Sequence, residues 1–289
     1  MSEKKKNILL TGATGFLGSH LLRIFLDKEW DVSIIKRSFS NTWRIQECLP
    51  CVSFLNIDVD PLESIFEKKG PFDVVVHTAA CYGRHGESPS QVMDANLVFP
   101  LQLLNTATFF NTATFFNTAT TLYSYLNSYA LSKRQFEDWG KLFSGQGKIG
   151  FVNLKLEHMY GPGDDASKFT TYIFDNLKKN TLQIELTPGE QKRDFIYIDD
   201  VVNAYIILLE KGMTAFQFSE YDIGSGKAVA IREFVEDAKR LSGAATELLF
   251  GKKKYRKHEI MHSQANIAPL KVLGWSPITS LENGILKSL

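Results

Sequence analysis

The chain has 289 residues, 44% of them hydrophobic and 22% charged, which is ordinary for a globular protein with one large or two unequal domains. Its formal net charge is +1, so the composition predicts no nucleic-acid partner and no membrane surface. The short basic runs Lys4–Lys6 and Lys252–Lys254 are interpreted as solvated segments. No apolar run reaches the roughly 18 residues needed to span a bilayer, and no signal-peptide pattern precedes the first strand, so we expect a cytoplasmic protein.

The three cysteines, Cys48, Cys51 and Cys81, suit a reducing compartment. Cys48 and Cys51 have the spacing of a redox or zinc motif, but no second ligand pair accompanies them. No metal site is therefore predicted.

A glycine-rich turn lies near the start of the chain. It follows the apolar run Asn7–Leu10, predicted as a buried strand, and it opens a helical pattern that extends to Phe25. Glycines in such a turn let the backbone approach a pyrophosphate, which then lies on the unpaired N–H groups of the helix N-terminus. The turn predicts a dinucleotide site, and its candidate residues are Gly12, Thr14, Gly15, Phe16, Leu17 and Gly18.

The end of the second predicted strand, Asp31–Lys36, bears on the choice of dinucleotide. A carboxylate there would bind the ribose 2′-OH of NAD, whereas a cation accommodates the 2′-phosphate of NADP. Lys36, Arg37 and Ser38 favour NADP(H) over NAD(H); the alternative is that the two cations are surface charges in a turn. Asp58 and Val59 follow the third predicted strand and are candidates to border the adenine.

A fourth strand is predicted at 73–80, after a helix over 61–69. It is continuously apolar, as a strand covered on both faces should be. The small residues at its end, Thr78, Ala79 and Ala80, leave room for the cofactor. His77, inside the apolar run, is interpreted as a satisfied core histidine.

The hexapeptide Asn-Thr-Ala-Thr-Phe-Phe occurs twice in succession from Asn105, and a third copy begins at Asn117. Six residues is too short for a solenoid repeat. We interpret the repeat as a duplication between a helix over 97–108 and a fifth strand over 115–120. Because the copies are identical, the register of the strand stays open.

Tyr129 and Lys133 begin the next helical pattern, and their i and i+4 spacing places them on one face. A sixth strand is predicted at 150–156. Six strands alternating with helices predict an α/β fold, a Rossmann-type doubly wound parallel sheet. After Tyr160 the pattern changes to shorter elements, with helices over 168–179 and 201–210 and strands over 184–186, 195–198 and 221–223. We expect a cofactor-binding domain over 1–160 and a smaller mixed α/β substrate lobe over 161–289, with some interleaving of chain segments.

These motifs together resemble the extended short-chain dehydrogenase/reductase family, which includes NAD(P)-dependent epimerases, dehydratases and ketoreductases of nucleotide sugars. The resemblance covers nearly the whole chain and rests on the glycine turn, Thr78–Ala80, Asn96, the Tyr129/Lys133 pair, Tyr160–Pro162, Arg193–Asp200 and Leu273–Pro277. More narrowly, the stretches 80–85, 155–161 and 189–195 resemble bacterial CDP-paratose and CDP-abequose synthases.

The resemblance implies roles for particular residues. Tyr129 would be the general acid, and Lys133 would lower the pKa of Tyr129 and bind the nicotinamide ribose. Thr120 would hold the carbonyl oxygen, although it precedes Tyr129 by only nine residues, and Thr114 in the preceding copy is the rival. Asn96 is implied as a cofactor residue. Implied substrate residues are Tyr82, Lys168, Phe169, Arg193 and Arg256, the two arginines as clamps on a diphosphate, with a surface charge as the alternative for Arg256.

The implied activity is NADPH-dependent reduction of the 4-keto group of CDP-4-dehydro-3,6-dideoxy-D-glucose, for O-antigen lipopolysaccharide, by a cytoplasmic enzyme that is commonly a homodimer. Paratose and abequose differ only at C4, so the sequence leaves the product open. An epimerase with bound NAD(P) and a non-catalytic dinucleotide-binding protein are the alternatives. A 4,6-dehydratase is disfavoured because Thr121 and Leu122 stand where that enzyme has an Asp-Glu pair.

Overall fold

The structure, a computed structural model, describes residues 5–212 and 216–289. Lys4, in one of the two basic runs, lies outside the described residues. The first part of the chain alternates strands and helices in this order: β1 (Asn7–Thr11), α1 (Phe16–Asp27), β2 (Asp31–Lys36), β3 (Ser53–Asn56), α2 (Glu63–Lys69), β4 (Val74–His77), α3 (Pro89–Met93), α4 (Phe99–Phe109), β5 (Thr114–Thr120), α5 (Ser128–Gly145) and β6 (Gly150–Leu156).

The elements that follow are shorter on average. In chain order they are β7 (His158–Tyr160), α6 (Phe169–Lys178), β8 (Gln183–Leu186), β9 (Lys192–Tyr197), α7 (Ile198–Lys211), β10 (Phe218–Ile223), β11 (Ala228–Ala230), α8 (Ile231–Ser242), β12 (Glu247–Phe250), α9 (Ala268–Val272) and α10 (Leu281–Ser288).

The main sheet has seven strands in the order β10-β6-β5-β4-β1-β2-β3. Its central strand β1 pairs in parallel with both neighbours, so that Leu10 lies between Ile34 of β2 and Val76 of β4. These three side chains are fully buried, as expected for strands covered by helices on both faces. The doubly wound parallel sheet predicted from the sequence is confirmed.

The seventh strand differs from the prediction. Six strands were expected in this sheet, and a short strand at 221–223 was assigned to the substrate lobe. Instead β10 extends the sheet at its edge beside β6, where Phe151 N donates to Gln217 O at 2.9 Å. Most of β10 is only half-buried, so its sequence lacks the continuous apolar run that marks the other strands.

The helix predicted over 97–108 also begins differently. A single π-helical turn, Asp94–Val98, joins α3 to α4. Asn96 in this turn is fully buried, although its neighbours on either side are partly exposed. The turn therefore directs one amide side chain inward.

Aromatic rings fill the space between α5 and the sheet. The rings of Phe115 on β5 and Phe151 on β6 stack in parallel with centroids 5.6 Å apart, and Phe136 of α5 meets both edge-on. A Cβ at Gly140 would lie 2.4 Å from the Phe151 ring, so a glycine is required for α5 to lie this close to β6. This packing fixes the helix that carries Tyr129 and Lys133.

The chain forms two compact units. The first contains Met1–Lys155 and Leu208–Tyr221, and the second contains Leu156–Ile207 and Asp222–Leu289. The second unit has a three-stranded sheet, β11-β9-β7, and a two-stranded sheet, β12-β8. The roles expected of the two parts, cofactor binding and substrate binding, stay predictions. Among residues 5–212 and 216–289, no helix combines the length and apolarity that crossing a membrane requires.

Candidate active site

The glycine turn brings the end of β1 against the start of α1. Gly12 has a φ of +75°, and a Cβ there would lie 2.5 Å from Ala79 N, so only glycine fits. A Cβ at Gly18 would lie 2.1 Å from Gly12 O, which shows how closely the helix approaches the turn. Gly15 is the N-cap residue of α1 and provides no side-chain cap for the first-turn N–H groups. These groups are suited to an external anion.

Two of the predicted turn residues contribute through their backbone. The side chains of Phe16 and Leu17 are buried, 8% and 6% exposed, so they pack into the protein. Their N–H groups belong to the first turn of α1. Thr14, which is half-buried, lies on the turn itself.

At the end of β2, hydrogen bonds to other residues already occupy Lys36 and Ser38. Lys36 Nζ donates to Asn56 Oδ1 at 2.7 Å, and Ser38 donates from its N and Oγ to the two carboxylate oxygens of Asp58, at 2.7 and 2.5 Å. The bonds from Ser38 hold the pKa of Asp58 below its usual value. Arg37 is exposed and lies over the Phe39 ring, 4.8 Å from its centroid. Arg37 is therefore the predicted cation most available to a 2′-phosphate.

Arg44 is a further cation near the turn that sequence reasoning missed. It lies in a short 3₁₀ turn, Trp43–Ile45, and its Nη1 donates to Thr14 O at 3.5 Å. Its guanidinium stacks on the ring of Trp43, 4.4 Å from the centroid. The residue belongs to an irregular connection, so neither periodicity nor motif spacing marks it.

The end of β4 is tied to the end of β1. Thr78 Oγ1 donates to Thr11 O at 2.8 Å, and His77 Nδ1 lies 2.7 Å from Thr11 Oγ1. His77 is fully buried, and burial, with the nearby Lys133, holds its pKa well below the ordinary value. The prediction of a satisfied core histidine holds for Nδ1 alone, because His77 Nε2 has no hydrogen-bond partner among the described residues.

Asn96 acts on the segment that follows β4. Its Oδ1 accepts from Cys81 N and its Nδ2 donates to Cys81 O, both at 2.8 Å, while Nδ2 also approaches Ser132 Oγ at 3.1 Å. Ser132 Oγ in turn donates to Tyr129 O. The side chain thus ties the segment at Cys81 to α5, which positions residues near Tyr129.

Thr120 and Tyr129 are the pair that the fold brings together. Thr120 is the last residue of β5 and Tyr129 is the second residue of α5, and the Thr120 hydroxyl lies close enough to Tyr129 to lower its pKa as a hydrogen-bond donor. Thr114 is the first residue of the same seven-residue strand, about 20 Å away at about 3.3 Å per residue. Between the two threonines left open by the repeat, Thr120 is the one at Tyr129.

Lys133 is buried one turn after Tyr129, with 2% of the residue exposed. Its Nζ has no hydrogen-bond partner in the part of the chain that the structure describes. Burial lowers the pKa of this ammonium from 10.5 to about 8, because the charged form has lost its water. An unpartnered buried cation is suited to a polar group that the chain itself does not provide.

The lowered pKa expected for Tyr129 is not found in this structure. Burial raises the pKa of Tyr129 well above its ordinary value, and Tyr82 adds to the rise. The influences in the opposite direction are the hydrogen bond with Thr120 and the charge of Arg84. The sequence shows that a cation is one turn away but not that the phenol is desolvated, and desolvation is the larger effect here.

A short loop after β4 covers Tyr129. The rings of Tyr82 and Tyr129 lie 4.8 Å apart between centroids, and the guanidinium of Arg84 lies 4.9 Å from the centroid of Tyr82. Tyr82 was predicted as a substrate residue, and the structure places it beside the predicted acid. Arg84 was missed as a site residue, since nothing in an irregular loop indicates which side chains turn toward a neighbouring helix.

The other predicted substrate residues lie in the second unit. Arg193 is buried, and its Nη2 donates to Glu259 Oε1 at 2.5 Å. Burial lowers the pKa of Arg193, and Glu259 opposes this shift. Lys168 Nζ lies 3.2 Å from Asp164 Oδ2, Phe169 begins α6 with 36% exposure, and Arg256 is exposed. The carboxylate of Glu259 thus occupies the arginine that was predicted to bind a phosphate.

The first unit fits a dinucleotide in two respects. The glycine turn leaves a cradle that a Cβ would fill, and Lys133 presents an ammonium without an internal partner among the described residues. No group of three or more potential metal-ligating side chains is found within residues 5–212 and 216–289.

Comparison with known proteins agrees with this geometry. Residues 8–224 match the model of the NAD dependent epimerase/dehydratase family. The chain is 35% identical over 296 residues to CDP-abequose synthase of Salmonella muenchen, covering 100% of this chain and 99% of that protein. It is 34% identical over 294 residues to CDP-abequose synthase of Salmonella typhimurium, covering 99% and 98% of the two chains.

A solved structure supports the fold. UDP-glucuronic acid 4-epimerase from Bacillus cereus, in complex with UDP-glucuronic acid and NAD, superposes with a TM-score of 0.85 at 23% identity, covering 98% of this chain and 97% of that chain. The matched family model and the full-length relatives lead to one conclusion: the chain belongs to the NAD dependent epimerase/dehydratase family.

Proposed function

We propose that the protein is an NADPH-dependent reductase that acts on the 4-keto group of a nucleotide-linked deoxysugar, CDP-4-dehydro-3,6-dideoxy-D-glucose. The observation that carries the proposal is the meeting of Thr120 and Tyr129, where the threonine hydroxyl can donate to the phenol, one helical turn from the unpartnered ammonium of Lys133. A hydroxyl pair beside a buried cation is an arrangement that can hold a carbonyl oxygen and protonate it.

Thr120, Tyr129 and Lys133 have separate roles in the proposed reaction. Bound NADPH would supply the hydride that forms the new C–H bond and leaves an alkoxide on the substrate. Thr120 would hold the oxygen, and the proton of the Tyr129 hydroxyl would go to it, which leaves a phenolate. Because burial raises the pKa of Tyr129, the side chain is protonated at neutral pH, which is the form that a general acid requires. Lys133 would bind the nicotinamide ribose.

The substrate proposal is supported by the relatives. The two Salmonella proteins that match this chain from end to end are CDP-abequose synthases. We therefore favour CDP-abequose as the product over CDP-paratose, its C4 epimer.

The choice of NADP over NAD is supported by cations near the predicted adenosine ribose. Arg37 is exposed at the end of β2, and Arg44 reaches the glycine turn. A 2′-phosphate would pair with guanidinium groups in this region. The carboxylate of Asp58 acts in the opposite direction, because its bonds to Ser38 keep it ionised where the phosphate would approach.

An epimerase that retains NAD is the second candidate. Two observations favour it. Asp58 is a carboxylate near the end of β2 and could bind a ribose hydroxyl, and the Bacillus cereus 4-epimerase is in complex with NAD. The two candidates differ in stoichiometry: a reductase consumes one reduced nicotinamide for each sugar, whereas an epimerase consumes none.

The experiment mixes the purified protein with CDP-4-dehydro-3,6-dideoxyglucose and NADPH, with NADH in parallel. The proposal predicts stoichiometric oxidation of NADPH, slower oxidation of NADH, and an NMR spectrum with the C4 configuration of abequose. Thr120→Val should lower turnover by about tenfold or more, and the matched variant Thr114→Val, at the other end of β5, should not. A keto sugar that is isomerised or untouched with no NADPH oxidised would contradict the proposal.

A further inference from the structure

The loop between β4 and α3 is fixed by contacts at both ends and in its middle. Asn96 binds Cys81 N and O at its start, and Ser88 at its end caps α3 in a reciprocal arrangement with Gln91. At Gly83, where φ is +68°, the backbone packs closely enough that a Cβ would lie 3.2 Å from a Val92 methyl group. The loop can therefore hold its side chains in a defined place although several are exposed.

The side chains of this loop form a stack on Tyr129. The Tyr82 ring lies against the Tyr129 ring at 4.8 Å, with the planes 37° apart, and Arg84 lies on Tyr82 at 4.9 Å. An arginine over an aromatic ring is attracted by the electrons of the ring face and keeps its charge close to whatever the ring touches. Here that neighbour is the proposed general acid.

We propose that Arg84 is a positioning residue for Tyr129: held on the ring of Tyr82, its guanidinium stabilises the phenolate that Tyr129 leaves when it protonates the substrate. This inference rests on the proposed function, which makes Tyr129 the acid. It assigns to an exposed loop residue a role that was expected of Lys133.

The charges around Tyr129 support this assignment. Burial and the Tyr82 phenol raise the pKa of Tyr129. A hydrogen bond from the Thr120 hydroxyl and the charge of Arg84 lower it. The other titratable groups nearby are Lys133 on the same helix, and Cys81, His85 and Glu87 in the loop. His85 N donates to Glu87 Oε2 at 2.8 Å, which fixes this carboxylate within the loop.

The chemical consequence concerns the second half of proton transfer. As the alkoxide oxygen takes the proton, an O–H bond breaks and its electron pair stays on Tyr129 as a negative charge in a buried site. Thr120 can donate one hydrogen bond to this charge, but the phenol has lost most of its water. The Arg84 guanidinium lies on the Tyr82 ring, which packs against Tyr129. From there it lowers the free energy of the phenolate charge without touching the substrate.

The direct test measures the titration of Tyr129. A difluorotyrosine is placed at position 129 by site-specific incorporation, because its phenol is more acidic and titrates within the range that a fold tolerates. Fluorine NMR then gives its midpoint in the full chain and in the variants Arg84→Gln, Arg84→Lys and Lys148→Gln. The last is the matched control, since Lys148 also lies 4.9 Å from an aromatic ring, that of Phe143.

We expect Arg84→Gln to raise the midpoint by less than about one pH unit, because an opposite charge in direct contact produces about one to three units and this guanidinium is exposed and acts across the Tyr82 ring. Arg84→Lys should recover most of the shift, and Lys148→Gln should have none. In turnover, Arg84→Gln should reduce kcat by about threefold to tenfold, with KM for the sugar little changed.

An unchanged midpoint in Arg84→Gln would overturn the inference. A rise in KM with an unchanged kcat would also overturn it and would make Arg84 a direct substrate contact. The fluorine titration needs neither nucleotide nor sugar. Its result therefore stands if the keto sugar is not a substrate, and a failure of the proposed function is distinguishable from a failure of this inference.

Discussion

Lys133 in the first unit and Arg193 in the second are both buried cations, but they differ in their internal hydrogen-bond partners. Arg193 is paired with Glu259 at 2.5 Å and also donates to Lys192 O, whereas Lys133 Nζ has no partner among the described residues. A buried charge without a partner costs stability, and a paired one recovers much of that cost. We infer that Lys133 is kept for a ligand, and that a ligand of Arg193 must compete with an internal carboxylate.

This difference has a consequence for ligand binding. A group that approaches Lys133 relieves an existing penalty, so its binding also stabilises the fold. A phosphate that approaches Arg193 has to displace Glu259 or share the guanidinium with it, so part of its binding free energy is lost. Three predictions test this contrast, from the largest expected effect to the smallest.

The largest effect is expected when Lys133 is replaced by methionine. Turnover should fall by about 10²-fold or more, because the variant loses both the proposed ribose contact and a cation beside the acid. NADPH should bind more weakly in a fluorescence titration. Lys148→Met, which removes an exposed lysine of the same unit, should leave both quantities unchanged. Wild-type turnover in Lys133→Met would contradict the inference that the unpartnered ammonium of Lys133 binds a ligand.

The second effect concerns the stability of the cofactor-free protein as a function of pH. Lys133 has a pKa of about 8 in the fold instead of 10.5, so below about pH 8 the ammonium is charged in both folded and unfolded chains and its full cost is present. Between about pH 8 and 10.5 the folded protein has lost a proton that the unfolded chain still binds, so stability rises with pH relative to Lys133→Met. Urea unfolding should show a gap of roughly 3 kcal/mol in favour of the variant at neutral pH, which closes by about pH 10.5.

The pH dependence separates this explanation from a packing effect. A gap that stays constant from pH 7 to 10.5 would show that methionine stabilises by its volume alone. Lys148→Met should show no gap at any pH in this range.

The smallest effect is the coupling between Arg193 and Glu259. Their side chains are 9% and 17% exposed, so we expect a double-mutant cycle with Arg193→Met and Glu259→Met to give a coupling of about 1–2 kcal/mol in urea unfolding. Arg240 and Glu282 are the matched control, an arginine–glutamate pair with both side chains 58% exposed, and they should show no measurable coupling. Equal coupling in the two cycles would contradict the view that Arg193 is held by a buried pair.

The parallel sheet could be predicted because most of its strands are recognisable from the local sequence pattern. Strands such as β4 are continuously apolar, and the glycine turn has a strand before it and a helix after it. The seventh strand could not be predicted in the same way. β10 returns to the sheet more than 60 residues after β6, and its half-buried edge position leaves no clear pattern. A chain return of this length is a tertiary property that periodicity does not contain.

The candidate site was predictable to the extent that it depends on spacing. Tyr129 and Lys133 lie four residues apart on one helix, so the sequence predicts that their side chains share a face. Family position favoured Thr120 but left Thr114 as the rival, because identical copies of the repeat give identical local signals, and only the strand register places Thr120 at Tyr129. Burial of Tyr129 and the approach of Arg84 are three-dimensional facts, which explains why the expected direction of the Tyr129 pKa was wrong.

The measurement that tests the central claim most directly is turnover of CDP-4-dehydro-3,6-dideoxyglucose by Tyr129→Phe with NADPH. The substitution removes one buried hydroxyl and keeps the ring on which Tyr82 packs, so the variant should fold and bind NADPH as the wild type does. We predict that kcat falls by about 10²-fold to 10⁴-fold, because the alkoxide loses its proton donor. A Tyr129→Phe variant with a kcat within about threefold of wild type would contradict the assignment of Tyr129 as the general acid, and with it the proposed mechanism.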